Sequence, residues 1–213
     1  MITLKLATSL DGRIATASGE SRWITGEAAR QAVHQIRSEH DAVLVGAETA
    51  LADDPELTVR LPDYTGRQPA RVVLDSRQRL SPGCKLVKTA RETPTYIVAT
   101  TGPDPALVAA GVCVLQVRAV GEDRPELKTV VQALADEGLS SIFVEGGGQV
   151  AASFLRCGLV DALEWFRAPI LIGGEGRPGV GALALAALAA APHFRRIEVR
   201  EVGDDLWERY ARV

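Results

Sequence analysis

The stretch Ala42-Val43-Leu44-Val45-Gly46 decides the fold, because an unbroken apolar run that ends at glycine is typical of a strand buried on both faces. Runs of the same form recur at residues 72–74, 96–99, 112–117 and 142–144. Helical patterns lie between the later runs, at residues 107–110, 127–137 and 150–156, and the last should end at a Gly158 C-cap. Strands that alternate with helices predict an α/β protein with a mixed, mostly parallel sheet flanked by helices.

The two ends of the chain carry different patterns. Ile2 to Thr8 alternates apolar and polar residues and predicts a strand. A helix should follow, with Thr25 as its N-cap and Glu27 in its first turn, and run to about Glu39.

The C-terminal region predicts a long strand over residues 162–172 and then an antiparallel hairpin. Residues 194–202 and 206–213 alternate around Gly203-Asp204-Asp205, which is a turn signal. The Ala-rich run from residue 180 to residue 192 suits a short helix or a packed loop.

Composition narrows the class of protein. The chain has 213 residues, 46% of them hydrophobic, with a net charge of −3, which fits one domain over residues 1–213. The acidic balance gives no footprint for nucleic acid or an anionic membrane. Three widely spaced cysteines and three scattered histidines predict no metal site, and the cysteines are expected to be reduced and buried. Without a secretory pattern, we expect a cytoplasmic protein.

The turn Glu145-Gly146-Gly147-Gly148 follows a predicted buried strand and opens a helix. Ligands of open parallel sheets bind at the carboxyl ends of the strands, and a helix N-terminus offers N–H groups to a phosphate. We interpret this turn as part of a site, against the alternative of a tight turn that merely needs glycine.

The run Gly174-Glu175-Gly176-Arg177-Pro178-Gly179 matches G-x-G-x-x-G, but it lies near the end of the chain and contains proline. The dinucleotide fingerprint belongs in the first turn of a βαβ unit. We therefore expect a flexible loop that could line a pocket.

Two aspartate-containing segments are open to more than one interpretation. Asp53-Asp54-Pro55 favours an extended loop, since the residue before proline avoids the helical region. Asp75-Ser76-Arg77 ends a strand and could hold a phosphate or form a simple turn.

Taken together, the N-terminal motifs resemble one family. They are K-x-A-x-S-L-D-G-R from Lys5, G-E-S-x-W-I-T from Gly19, the downstream Arg37, T-x-x-x-D-D-P-x-L-T-x-R from Thr49, and E-G-G from Glu145. This set is similar to the pyrimidine reductases of riboflavin biosynthesis, the reductase half of RibD-type enzymes. The resemblance implies a dihydrofolate-reductase-like fold, NADPH as cofactor, a homodimer, and reduction of a phosphoribosylamino-pyrimidine at C1′ to a ribityl chain.

The resemblance also assigns residues. It implies Lys5 and Glu145 as catalytic residues, and it implies substrate contacts at Ser21, Arg37, Leu57, Arg60 and Glu145. It implies NADPH contacts at Ala7, Trp23, Thr49, Asp53, Ser76, Gly147, Gly148, Gln149 and Val150, in a segment that extends to Ser153. Arg77 and Arg79 are candidates for the 2′-phosphate.

The substrate is less sharply predicted. The chain has neither the H-x-E nor the P-C-x-x-C signature of a zinc deaminase, so a separate deaminase is expected in the pathway. The main interpretation is reduction of 5-amino-6-(5-phosphoribosylamino)uracil. The alternatives are reduction of the undeaminated 2,5-diamino pyrimidinone, a dihydrofolate-reductase-like enzyme on a pterin, and a non-catalytic nucleotide-binding subunit.

Overall fold

The structure, a computed structural model, describes residues 1–121 and 123–213. The strands in chain order are β1 (Ile2–Thr8), β2 (Arg13–Ala15), β3 (Ala42–Gly46), β4 (Ala70–Leu74), β5 (Thr95–Ala99), β6 (Cys113–Gln116), β7 (Ala119–Val120), β8 (Arg124–Pro125), β9 (Ile142–Val144), β10 (Ala162–Arg167), β11 (Arg177–Pro178), β12 (Phe194–Val202) and β13 (Asp205–Arg212). The helices are α1 (Glu27–Ser38), α2 (Ala47–Asp53), α3 (Lys85–Lys88), α4 (Pro105–Ala110), α5 (Leu127–Asp136) and α6 (Gly148–Arg156), with a 3₁₀ turn at Leu188–Ala190.

The chain packs as two compact units, residues 1–35 with 144–213 and residues 36–143. The single domain over residues 1–213 stays a prediction. In the first unit the strand order is β12-β13-β10-β1, with β1 parallel to β10 and the other pairs antiparallel. The predicted C-terminal hairpin is confirmed, and Gly203, with φ of 67°, lies in its turn.

The main sheet of the second unit contains three parallel strand pairs in succession. Its order is β9-β3-β4-β5-β6, and successive pairs from β3 to β6 are parallel. All five residues of β3 are buried, as the apolar run predicts. The strand β6 is different, because Cys113 and Gln116 are exposed, so the expectation that this run is buried on both faces was wrong.

Several boundaries differ from the sequence predictions. The helix α1 begins at Glu27, so Gly26 rather than Thr25 precedes it, and it ends at Ser38. The strand β10 ends at Arg167, short of residue 172, and Pro169 just beyond it has no N–H to donate to a ladder. The C-cap residue of α6 is Cys157, and Gly158 follows it at a φ of 65°.

The expected burial of the cysteines was wrong. All three are free thiols, but Cys113 and Cys157 are exposed and Cys84 is half-buried. Among the described helices, no helix is both long enough and apolar enough to cross a membrane.

Candidate active site

The first unit carries the two predicted residues of β1. Alternate residues of a strand point to opposite faces, so Lys5 and Ala7 share one face. The Cα of Lys5 pairs with that of Glu164 on β10. Glu164 is only 5% exposed, and its carboxylate accepts hydrogen bonds from Trp207 Nε1 at 2.6 Å and from Arg209 Nε at 3.1 Å. This face of the sheet therefore holds a buried acid and flanking cations next to Lys5.

The opposite face of β1 borders an apolar cavity of about 470 Å³. It is lined by Leu4, Leu6, Thr8, Asp11, Gly12, Arg13, Leu155, Leu163, Trp165, Pro178, Gly179, Val180, Leu183, Pro192 and Phe194. None of the predicted site residues is in this lining. The glycine-rich loop lines the cavity, as the sequence allowed, but its Arg177 and Pro178 pair with β2, so the expectation of a flexible loop was wrong.

The segment before α1 presents Ser21 and Trp23. Ser21 is half-buried, whereas Trp23 is 68% exposed, which is unusual for an indole. The guanidinium carbon of Arg30 lies 4.4 Å from the centre of the Trp23 ring, and Arg30 Nη1 donates a hydrogen bond to the Thr25 carbonyl at 2.9 Å. Arg30 thus holds both the indole and the backbone that follows it.

The turn into α6 combines a glycine at positive φ with a helix N-terminus. Gly147 lies at φ 58° and ψ 145°, a backbone that favours glycine, and the helix begins at Gly148. The first N–H groups of a helix have no partner within the helix. Gly148 is required for a different reason, since a Cβ there would lie 2.4 Å from the Pro178 carbonyl oxygen. Glycine is needed at position 148 because the start of α6 packs against the glycine-rich loop, and not because a ligand approaches the backbone there.

In the second unit, α2 and the turn after β4 bring three predicted cofactor residues to the carboxyl ends of neighbouring parallel strands. Thr49 and Asp53 lie four residues apart on α2, and Ser76 follows β4. Arg79 Nη1 binds Glu48 on α2 at 2.7 Å and ties the two elements together. The expectation of an extended loop at Asp53-Asp54-Pro55 was wrong.

Asp54, the residue before Pro55, is neither extended nor right-handed helical. Asp54 lies in the left-handed region at φ 41°, where its carboxylate accepts the Lys85 N–H at 2.8 Å, the first amide of α3.

The turn after β4 is held by its own aspartate. The Asp75 carboxylate is fully buried and accepts the backbone N–H groups of Arg79 at 2.6 Å and Leu80 at 3.1 Å. Hydrogen bonding to Glu48 raises the pKa of Arg79 further, so this guanidinium stays charged. Arg77, whose side chain is 71% exposed, lies 3.9 Å from Asp123. The sequence left two roles open for this segment, a simple turn or a phosphate site. The hydrogen bonds of Asp75 are those of a simple turn.

The segment from Glu56 to Arg60 carries two predicted substrate residues and lies against a third. Arg37 is 9% exposed, and its Nη1 donates to the Thr58 carbonyl at 2.8 Å. Leu57 is buried at φ 55°, in a region that branched side chains seldom occupy. Arg60 is exposed and pairs with Glu56 at 3.3 Å. The structure therefore brings Arg37, Leu57 and Arg60 together.

Some residues that organise these regions carried little signal in the sequence. Gln68 and Arg30 are polar residues without a motif, and their roles depend on backbone groups that only the fold brings near. Glu164 had a signal, since an acid inside the apolar run of β10 is expected to need partners. Asp11 lay within the N-terminal motif without an assigned role, and its carboxylate accepts the Ser9 hydroxyl at 2.6 Å and the Gly173 N–H at 2.7 Å.

Comparison with known proteins agrees with the architecture just described, a mixed, mostly parallel sheet with flanking helices and a C-terminal hairpin. The profile of the RibD C-terminal domain family matches residues 1–207. The chain belongs to this family, and the resemblance in its N-terminal motifs is confirmed.

Three relatives place the chain more closely. It is 40% identical over 210 residues to the riboflavin biosynthesis protein RibD of Bacillus amyloliquefaciens, covering 96% of this chain and 55% of the relative. It is 36% identical over 211 residues to the 2,5-diamino-6-ribosylamino-4(3H)-pyrimidinone 5′-phosphate reductase of Methanothermobacter thermautotrophicus, covering 98% of this chain and 96% of the relative. The solved structure of Acinetobacter baumannii RibD matches with a TM-score of 0.89 at 33% identity, covering 100% of this chain and 58% of that one. The chain thus spans a little over half the length of the RibD relatives and nearly all of the archaeal reductase.

Proposed function

We propose that this protein reduces a phosphorylated ribosylaminopyrimidine with a nicotinamide cofactor, NADPH, in riboflavin biosynthesis. The observation that carries the proposal is the match to the archaeal phosphate reductase, which extends over 96% of that relative. The preferred substrate is 5-amino-6-(5-phosphoribosylamino)uracil, because a solved relative from Thermotoga maritima, 27% identical, is a diaminohydroxyphosphoribosylaminopyrimidine deaminase that is also a reductase of this uracil. The undeaminated diamino pyrimidinone is the second candidate, because the archaeal relative is a reductase of this compound.

The second unit supplies positive charge for a substrate phosphate. Arg37 is fixed in place by Thr58, and Arg60 is exposed beside it on the same segment. Guanidinium groups bind phosphate through paired, charge-assisted hydrogen bonds, and they remain charged at any pH at which the protein is folded. A pterin with a glutamate tail makes different demands, so this pair favours the phosphorylated substrate over dihydrofolate.

In the first unit, Lys5 and Glu145 are proposed to deliver the proton that the reduction requires, and Ser21 is proposed to bind the substrate. Reduction of an imine at C1′ adds one proton as well as one hydride, and a positioned acid or amine can deliver that proton. Both residues are half-buried, Lys5 within β1 and Glu145 directly after β9.

The residues proposed for the cofactor fit a dinucleotide. The start of α6, from Gly147 to Val150, offers backbone N–H groups and the positive end of a nine-residue helix to a pyrophosphate. Trp23, which is exposed, and Ala7 are proposed for the cofactor in the first unit, and Thr49, Asp53 and Ser76 are proposed in the second. When bound, a reduced nicotinamide supplies the hydride, and the protein supplies orientation and charge. Arg77 is the stronger candidate for a 2′-phosphate, because Arg79 already pairs with Glu48 and Asp75.

Oligomeric state and location are further parts of the proposal. We expect a homodimer in the cytoplasm, working beside a separate deaminase, and gel filtration with light scattering measures the first of these directly.

The deciding experiment follows NADPH oxidation by absorbance with three substrates: the ribosylaminopyrimidine phosphate before deamination, the same compound after deamination, and dihydrofolate. Turnover of the deaminated compound alone supports the preferred substrate, and turnover of the diamino compound alone supports the second. Reduction of dihydrofolate alone would contradict the phosphate-binding role of Arg37 and Arg60. NADPH binding without turnover of any substrate would favour a non-catalytic nucleotide-binding subunit.

One variant separates chemistry from binding. Glu145→Gln keeps the size of the side chain but removes its acid, so kcat should fall about 100-fold or more, the range expected for loss of a general acid. The dissociation constant of NADPH, measured by fluorescence titration, should change less than about 3-fold. Equal losses in both would exclude a role for Glu145 confined to the substrate.

A further inference from the structure

Leu57 is a strained point of the second unit, and it differs from Asp54, Asp63, Gln78 and Asp123, which also lie at positive φ, in having a branched apolar side chain. A leucine at φ 55° is destabilised relative to a glycine at the same position, and such residues persist only where neighbours over-determine them. Leu57 is also 3% exposed, so its side chain is packed as well as its backbone. The residues that hold the flanking peptide groups therefore decide whether this conformation exists.

Two side chains hold the peptide groups that follow Leu57. Arg37 donates to the Thr58 carbonyl, as described above. The Gln68 amide then pairs with both backbone groups of the next residue: its Oε1 accepts the Val59 N–H at 2.8 Å, and its Nε2 donates to the Val59 carbonyl at 3.1 Å. Gln68 thus acts as a short strand would, and it fixes the residue directly before Arg60.

We propose that Gln68 is a positioning residue for the substrate: it clamps Val59 so that Leu57 keeps its left-handed conformation and Arg60 faces the substrate phosphate. This inference rests on the proposed function for its substrate, but the clamp itself is a property of the free protein. No step of the chemistry passes through Gln68. Its effect is expected in substrate binding, not in cofactor binding.

The test compares Gln68→Leu, which keeps the bulk and loses both hydrogen bonds, with Gln68→Glu, which keeps the acceptor and loses the Nε2 donor. The matched control is Gln132→Leu, because Gln132 also makes a side-chain hydrogen bond, to Asp136 on the surface of α5, at 2.8 Å. The KM for the substrate should rise about 10-fold in Gln68→Leu, as expected for two lost hydrogen bonds, and less in Gln68→Glu. The kcat and the NADPH dissociation constant should stay within about 3-fold of wild type, since a clamp acts through binding.

A second measurement needs no substrate. Hydrogen exchange of a peptide that spans residues 56–60 should be faster in Gln68→Leu than in wild type, while peptides from α5 should exchange unchanged. If exchange and KM are both unchanged in a folded Gln68→Leu protein, the proposal is overturned. If wild type turns over no pyrimidine phosphate, the proposed function fails and with it the substrate part of this inference, whereas faster exchange would still uphold the clamp.

Discussion

Two segments of this protein carry the residues that would meet ligands, and they are held in opposite ways. The segment around Trp23 in the first unit is held through its side chain, because the Arg30 guanidinium stacks on the indole at 4.4 Å. The segment around Leu57 in the second unit is held through its backbone, by Arg37 and Gln68. A cation on an exposed ring contributes about 0.5–1 kcal/mol. A neutral hydrogen bond such as those of Gln68 contributes about 0.5–1.5 kcal/mol, and one from a charged group such as Arg37 contributes about 1.5–3 kcal/mol.

This difference indicates which of the two segments should determine selectivity for the substrate. A rigid backbone that fixes charged groups suits recognition of one particular substrate, since misplaced charges lose binding steeply. An exposed ring held by cation–π contacts suits a cofactor that must enter and leave in every cycle. We therefore expect substitutions in the Leu57 segment to change substrate KM, and substitutions in the Trp23 segment to change cofactor affinity.

The largest effect is expected from Arg37→Met. This change removes a charge proposed to bind the phosphate and leaves the Thr58 carbonyl without its donor, so substrate KM should rise about 30- to 100-fold. The NADPH dissociation constant should change less than about 3-fold. Steady-state kinetics measure the KM, and fluorescence titration measures the NADPH dissociation constant. An equal loss of NADPH affinity would contradict the assignment of the Leu57 segment to the substrate.

Arg60→Met sharpens the same comparison. Arg60 pairs with Glu56, and both side chains are about half exposed, at 55% and 48%. Its loss should change the free energy of unfolding by less than about 1 kcal/mol, as for other surface ion pairs. Substrate KM should still rise about 10-fold if Arg60 binds the phosphate. The control Glu56→Gln breaks the pair but keeps the guanidinium, and a KM increase as large as that of Arg60→Met would show that the pair matters, not the charge.

The sequence predicted the strands better than it predicted the side chains that hold the backbone of the candidate site in place. β1, β3, β9 and the hairpin follow from apolar patterns, because burial and alternation are recorded locally in each strand. The helix α2 was missed because the Asp-Pro pair argued for an extended backbone, whereas Asp54 takes a left-handed conformation stabilised by an amide of α3, 31 positions along the chain. Tertiary hydrogen bonding outweighed the local preference.

The same distinction applies to the candidate site. Motif resemblance reached Arg37, Leu57 and Arg60, and the structure brings them together. It could not reach Gln68, because an isolated glutamine before a proline has no pattern and its partner, Val59, is known only once the fold places them side by side. Nor could it reach Arg30, whose contact with Trp23 depends on the path of the chain before α1.

Arg30→Met is expected to have a moderate effect, confined to the cofactor. Without the cation the indole is less constrained, so NADPH should bind about 3-fold more weakly, in line with one exposed cation–π contact. Substrate KM should stay within about 2-fold. Arg30→Lys keeps a cation and should recover part of the affinity, and Trp23 emission should shift in Arg30→Met while Trp23→Phe identifies the signal. An effect on substrate KM larger than that on NADPH would contradict the assignment of this segment.

The smallest effect on the kinetic constants is expected from Asp11→Asn, which acts on stability. The Ser9 hydroxyl and the amides of Gly173 and Ile172 lower the pKa of Asp11 to about 2, from 3.8. A carboxyl whose pKa is lower in the folded state stabilises the fold above its unfolded value, and this contribution disappears as the pH falls from about 4 to about 2. Urea unfolding at pH 7 and at several pH values down to 2 should show a shallower decline in Asp11→Asn than in wild type over that interval. A variant with the wild-type slope would mean that the Asp11 carboxylate does not stabilise the fold by joining Ser9 to Gly173.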